Sequence, residues 1–169
     1  MAADDVEVRP FLTTEWQYYK GVRLKALQSD PAVFGSNFAK EAAYPDERWQ
    51  KQLDSTASGV FGVFHFGDVI GITGIVLDRE NATTAKLWGS WLEPQWRGRG
   101  LSEKMYAARI SWAKDNPLVR RIVVSHRQGN IASKKSNQKH GFVFSHATDH
   151  LWHDGLTEPE LFYELVIKR

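Results

Sequence analysis

The sequence contains no cysteine. Disulfide frameworks, thiolate zinc sites, iron–sulfur clusters and cysteine nucleophiles are therefore excluded. No run approaches the ~20 consecutive apolar residues of a membrane span. The opening Met1–Glu7 has neither the basic nor the apolar region of a secretory signal. These absences predict a cytoplasmic protein with no membrane partner. An excess of charge is lacking too. The 22 Lys and Arg stand against 20 Asp and Glu, and the net +2 is too small to argue for a nucleic-acid partner. What is present is aromatic: 9 Phe, 7 Trp and 5 Tyr in 169 residues, enough for a packed core and too many for a disordered chain. No repeat, low-complexity tract or linker interrupts the chain, so a single domain over residues 1–169 is predicted.

Hydrophobic patterning gives the element order. Val6 to Phe11 alternates as a first strand, and Thr14-Glu-Trp-Gln17 fits a capping box that starts a helix. Trp16, Tyr19, Val22 and Ala26 recur at helical spacing until Asp30-Pro31 ends the run. Pro31 to Pro45 reads as irregular, and Asp46 to Asp54 as a short helix. Gly59–Phe66 and Val69–Val76 form a hairpin about Gly67-Asp68. Ala85 to Leu92 is apolar or small at nearly every position, as a central strand is. A helix from Gly100 to Asp115 presents Leu101, Met105, Ala108 and Trp112. A strand at Arg121–Ser125, a helix at Asn130–His140 and strands at Phe142–Phe144 and Leu161–Ile167 complete the chain. The fold class is mixed α/β (or α+β), with at least one parallel crossover around the 100–115 helix.

The segment with the most chemistry lies between the central strand and that helix: Trp91-Leu-Glu-Pro-Gln-Trp-Arg-Gly-Arg-Gly-Leu-Ser102. Gly98 and Gly100 allow close backbone approach, the first helical turn offers free N–H groups, and Arg97 and Arg99 add charge. Together they make a pyrophosphate cradle. It is not a Walker loop, because no Gly-Lys-Ser/Thr follows. The dinucleotide fingerprint fails as well, since Glu103 stands where its third glycine belongs.

Gln95-x-x-Gly98-x-Gly100 resembles the Gln/Arg-x-x-Gly-x-Gly/Ala signature of the GNAT superfamily of N-acetyltransferases. Asn130-Ile-Ala-Ser133 with Gly141-Phe142, and Arg23-Leu-x-Ala-Leu27 with Pro31-x-x-Phe-Gly35 and Trp49, are similar to further segments of that family in the right order. The resemblance covers nearly the whole chain. It implies a single-domain, mostly antiparallel sheet splayed at the acetyl-CoA site and flanked by about four helices. It implies acetyl-CoA as co-substrate, no metal and an amine acceptor, with a homodimer left open. Leu92, Gln95, Arg97, Gly98, Arg99, Gly100, Leu101, Ser102, Asn130 and Ser133 would hold the cofactor. The Leu92 N–H would stabilise the oxyanion.

Attack by an amine requires a base, and the departing thiolate takes up a proton. Glu93, at the end of the splayed strand, and His126, after the next strand, are the candidate bases; the bland alternatives are a solvated loop carboxylate and a surface histidine. Many relatives place a Tyr seven residues after the Asn as the acid, but here that position is Asn137, which has no proton to give. Ser133 and Ser136 are the nearest hydroxyls in sequence, and Asn137→Ala is then expected to cost little. The acceptor would meet Phe34, Ser36 and Phe38 in the irregular segment and His146, His150 and Trp152 in the Ser145–Glu158 connection. Phe34 and Phe38 could equally plug the core. The histidines 146, 150 and 153 lack the pattern of a metal site, and Trp96 is expected near the surface. Two alternatives stand beside a small-molecule N-acetyltransferase: a non-catalytic CoA-binding module, and an enzyme acting on a protein N-terminus or lysine.

Overall fold

The computed structural model describes residues 2–169. Seven strands form one open sheet in the order β1-β2-β3-β4-β5-β7-β6. They are β1 (Val6–Pro10), β2 (Ser58–His65), β3 (Asp68–Leu77), β4 (Thr84–Leu92), β5 (Arg121–Arg127), β6 (Val143–Leu151) and β7 (Thr157–Val166). Only β4 and β5 pair in parallel; the other neighbours are antiparallel. The five α-helices are α1 (Trp16–Ser29), α2 (Phe38–Ala42), α3 (Asp46–Asp54), α4 (Leu101–Asp115) and α5 (Ile131–Lys139).

Alternation along β2 explains the layering. Val60 and Phe64 pack with Tyr19, Leu27 and Trp49 of α1 and α3, whereas Phe61 and Val63 pack with residues of α4 on the other face. A sheet apolar on both faces needs a helical layer on each.

Several local expectations are corrected. The β2–β3 turn is centred on Phe66-Gly67, with φ of 48° and 87°, one residue earlier than Gly67-Asp68. α1 starts at Trp16 after a 3-10 turn, where the Leu12 N–H donates to Glu15 Oε1 at 2.7 Å, so Thr14 makes no cap. The irregular 31–45 stretch contains a 3-10 turn (Pro31–Val33) and α2, the latter capped by Asn37 Oδ1 accepting from the Lys40 N–H. The Ser145–Glu158 connection is mostly the β6–β7 hairpin. β6 is an edge strand, exposed at nearly every residue, so its sequence needs no apolar alternation and hides its extended form. Trp96 is buried rather than superficial: it is 3% exposed and packs with Val63, Ile70, Leu101 and Met105 beneath the turn. Among the described residues no helix is long and apolar enough to cross a membrane.

Candidate active site

Strand β4 leaves β5 after three residue pairs, Thr84–Arg121 to Lys86–Val123. From there the strands diverge. The gap is a cleft of about 400 Å³, walled by Leu87–Leu92 of β4 and Val124–His126 of β5. Val33 and Phe34 line it from the α1–α3 side, and Tyr106, Arg109, Ser133 and Asn137 from the α4–α5 side. The cleft therefore opens through the sheet. On its other edge β4 carries a bulge, in which Gly89 and Ser90 together oppose Thr73 of β3. Gly89 has φ 69°, and Ser90 Oγ lies 2.7 Å from Thr73 Oγ1. Beyond the bulge the Glu93 N–H donates to Ile70 O at 2.9 Å. Antiparallel alternation then turns the Leu92 N–H toward the side that β5 has vacated.

The glycine turn lies at the end of this gap. Gly98 (φ 72°) and Gly100 (φ 77°) are left-handed, and Gly100 stands directly before α4. No atom comes within 4 Å of the place where a Cβ on either would stand. Among the described residues nothing accepts from the N–H groups of Gly98, Gly100, Leu101 or Ser102. The open space, the free donors and the positive end of α4 fit a phosphate-bearing ligand such as acetyl-CoA. Leu101 can offer only backbone, because its side chain is buried in the core.

The side chains of the turn are tied into the protein. Arg97 donates from Nε to Leu92 O at 3.0 Å and from Nη2 to Asp30 Oδ2 at 2.8 Å; Asp30 also accepts from Trp91 Nε1 at 2.7 Å. Burial alone would raise the Asp30 carboxyl, but the hydrogen bonds from Trp91 and Arg97 outweigh it and hold it below the usual range. Arg99 Nε donates to Gln95 O at 2.9 Å, and Gln95 Nε2 donates to Glu93 Oε2 at 2.6 Å.

The two candidate bases differ sharply. Glu93 does not line the cleft, and its other oxygen takes a 2.5 Å bond from Lys25. His126 lines the cleft and is 6% exposed, so it is no surface histidine. Its Nδ1 lies 2.9 Å from Arg127 O, which holds a neutral ring as the Nδ1–H tautomer, and its Nε2 has no partner. Asn130 and Ser133 line the cleft together, with Asn130 Oδ1 accepting from the Ser133 N–H at 3.1 Å as the cap of α5.

The acceptor candidates separate. Phe34 lines the cleft and is also part of the core, being 7% exposed. Behind it, the Arg23 guanidinium makes two hydrogen bonds to Glu41, at 2.8 and 2.9 Å, and lies 5.2 Å from the Phe34 ring centroid and 5.5 Å from that of Trp88. Ser36, His150 and Trp152 do not line the cleft. His150 packs edge-on against Trp152 on the far hairpin, and Trp152 is buried beneath Arg127, which also binds Asp154 and Glu158.

Two residues of the cleft escaped sequence reasoning. Tyr106 and Arg109 belong to the buried side of α4. Tyr106 Oη donates to Asn137 Oδ1 at 2.5 Å, and Asn137 is 2% exposed with its Nδ2 unpartnered, so the expectation that Asn137→Ala costs little is corrected: the substitution strands the buried Tyr106 hydroxyl. Arg109 donates to Met105 O and to Ser90 Oγ, and no carboxylate pairs with it among the described residues. Burial pushes its guanidinium down to about 10, against the opposing effect of Tyr106. The i, i+4 run Leu101, Met105, Arg109 was the available signal: it sets an arginine on an apolar stripe.

The family model described as an acetyltransferase (GNAT) domain matches residues 8–143. Against curated proteins there is no significant match. Among solved structures, a GNAT-family acetyltransferase from Streptococcus pneumoniae superposes with TM-score 0.80 at 19% identity, over 96% of this chain and 99% of that one. The spermidine N-acetyltransferase of Vibrio cholerae, in complex with CoA and spermine, gives 0.77 at 11% identity over 96% of both chains. An acetyltransferase from Salmonella typhimurium that modifies the N-terminal serine of ribosomal protein L7/L12 gives 0.74 at 15%, over 98% and 97%. Glycine turn, splayed strands and family model agree, and the chain belongs to the GNAT family of acetyltransferases.

Proposed function

We propose that this acetyltransferase passes the acetyl group of acetyl-CoA to a primary amine of a small molecule, by direct attack within a ternary complex. The observation that carries this reading is the cleft through the sheet. One side meets the glycine turn and the other is walled by Phe34 and Trp88, so two substrates can enter from opposite faces and meet at the β4 bulge. The free N–H groups of Gly98, Gly100, Leu101 and Ser102 bind the pyrophosphate. Gln95, Arg97 and Arg99 shape the turn, with Arg97 bracing it against Asp30. Asn130 and Ser133 flank the pantetheine arm. The Leu92 N–H donates to the thioester carbonyl oxygen as it takes up charge.

His126 is the base in this reading. Its unpartnered Nε2 removes a proton from the attacking amine, whereas both oxygens of Glu93 are already engaged. The small volume of the cleft, about 400 Å³, and its aromatic wall suit a small amine better than a folded protein surface.

Acceptor recognition separates Phe34 from His150. Phe34→Ala is expected to raise the KM of the amine about tenfold or more, as the loss of a buried aromatic contact does, and to leave the KM of acetyl-CoA nearly unchanged. His150→Ala is expected to change neither. Steady-state kinetics on folded variants decides it. Equal shifts in both KM values for Phe34→Ala, or a shift with His150→Ala, would move the acceptor pocket elsewhere.

A further inference from the structure

Breaking the thioester C–S bond leaves an electron pair on sulfur inside a narrow cleft lined largely by apolar side chains. A thiolate formed there is poorly solvated and needs a proton. Asn137 has none to give. Ser133 and Ser136 are aliphatic hydroxyls, far weaker acids than a thiol. A phenol and a thiol, by contrast, have ordinary acidities within about two units of each other, so transfer between them is nearly balanced.

A phenol stands at this place. Tyr106 lines the cleft with its hydroxyl 2.5 Å from Asn137 Oδ1, and its ring is fixed by stacking on His140 at 4.0 Å between centroids with only 8° between the planes. The Arg109 guanidinium lies 4.7 Å from the centre of the Tyr106 ring. A buried arginine with no carboxylate is costly to keep, and the cost is recovered when an anion comes to it. The bond from Arg109 to Ser90 places that cation at the β4 bulge, two residues before the Leu92 N–H.

We infer that the Tyr106 hydroxyl turns its proton from Asn137 Oδ1 to the departing sulfur, while the unpartnered Asn137 Nδ2 turns to donate to the phenolate and Arg109 faces the charge left on it. The inference rests on the acetyltransferase reading. The amine nitrogen forms a bond to the carbonyl carbon, and the C–S bond breaks with its electron pair moving to sulfur. The S–H bond forms as the Tyr106 O–H bond breaks. The proton given up by the amine passes through His126 to solvent, and the phenolate regains one from solvent. Free amine and thioester become amide and thiol with no net change in protons.

The test uses acetyl-CoA and its selenoester analogue, whose selenolate is a weaker base and leaves without a proton. The acceptors are a panel of spermidine, the common α-amino acids and a serine-initiated peptide. Tyr106→Phe keeps the stacked ring. It is expected to lower kcat with the thioester about 100-fold and with the selenoester less than threefold, while CoA affinity stays at the wild-type value and the thermal midpoint falls by only a few degrees, as the loss of the buried bond to Asn137 entails. Equal losses with both esters would assign Tyr106 a structural role, and no loss would remove it from the reaction. As an isosteric second variant, 3-fluorotyrosine at position 106 is expected to shift the alkaline limb of the kcat profile to lower pH; an unmoved limb contradicts the inference. Wild-type turnover with either variant unaffected overturns this inference alone. No wild-type turnover on any acceptor overturns both it and the acetyltransferase reading.

Discussion

Gly100→Val is expected to weaken CoA binding by about 100-fold or more, since two charge-assisted hydrogen bonds at roughly 1.5–3 kcal/mol each are lost. Gly100 sits at φ 77°, directly before α4, and the space beside it is empty. A β-branched side chain acts there twice. It resists the left-handed conformation at a cost of about 1–2 kcal/mol, which misaims the first-turn N–H groups, and it fills the volume in which phosphate oxygens are proposed to lie. α4 itself is held by Leu101, Met105 and Ala113 in the core, so the fold is expected to survive. Calorimetric titration with CoA, alongside a thermal melt, reads both quantities. Wild-type affinity in the variant would place the pyrophosphate somewhere other than the glycine turn.

Glu41→Ala is expected to cost about 3–5 kcal/mol of stability, the usual result of leaving one member of a buried ion pair alone. Arg23 and Glu41 are both about 8% exposed, and Arg23 Nη1 already lacks a partner. Their pair braces α2 against α1 behind Phe34, so its loss is also expected to loosen the acceptor wall. Burial alone would raise the Glu41 carboxyl, but its bonds and attraction to Arg23 prevail and hold it below the ordinary value. Because the folded value is depressed, the pair's stabilisation is fully present above the unfolded carboxylate range, ~4.3. It is lost as pH falls through the lower folded value. Denaturant melts across that window are expected to show an acid-side loss in wild type that is smaller in Glu41→Ala. The double replacement Arg23→Met with Glu41→Leu is expected to be much milder than the single one, because no charge is then stranded. A single variant that melts like wild type would show that the pair contributes little.

The sequence made the central architecture readable where burial writes a pattern. Residues 85–92, apolar or small at nearly every position, lie in the middle of the sheet as β4, and the glycine turn follows directly at the start of α4. The pattern fell silent where no face is buried. β6 is polar because it is an exposed edge, and nothing local in its sequence shows that His150 lies outside the cleft. Trp96 differs from expectation for the opposite reason: a turn that reads as exposed in sequence folds back over Val63 and Met105. The cleft was legible from its backbone donors and illegible from α4. Tyr106 and Arg109 occupy core-facing helical positions, and a buried tyrosine normally reports only packing. Their bonds to Asn137 and Ser90 depend on how α4, α5 and β4 meet, which no local spacing records.

The most direct measurement of the central claim is thiol release from acetyl-CoA over the amine panel, with mass detection of the acetylated product, for wild type and for His126→Gln. The account expects at least one small primary amine to yield a product heavier by one acetyl group, together with one equivalent of free CoA. It expects His126→Gln to lower kcat by about 100-fold or more, within the range typical of a lost general base, while CoA binding holds. CoA binding with no acetylated product from any amine, or turnover unaffected by His126→Gln, would contradict it.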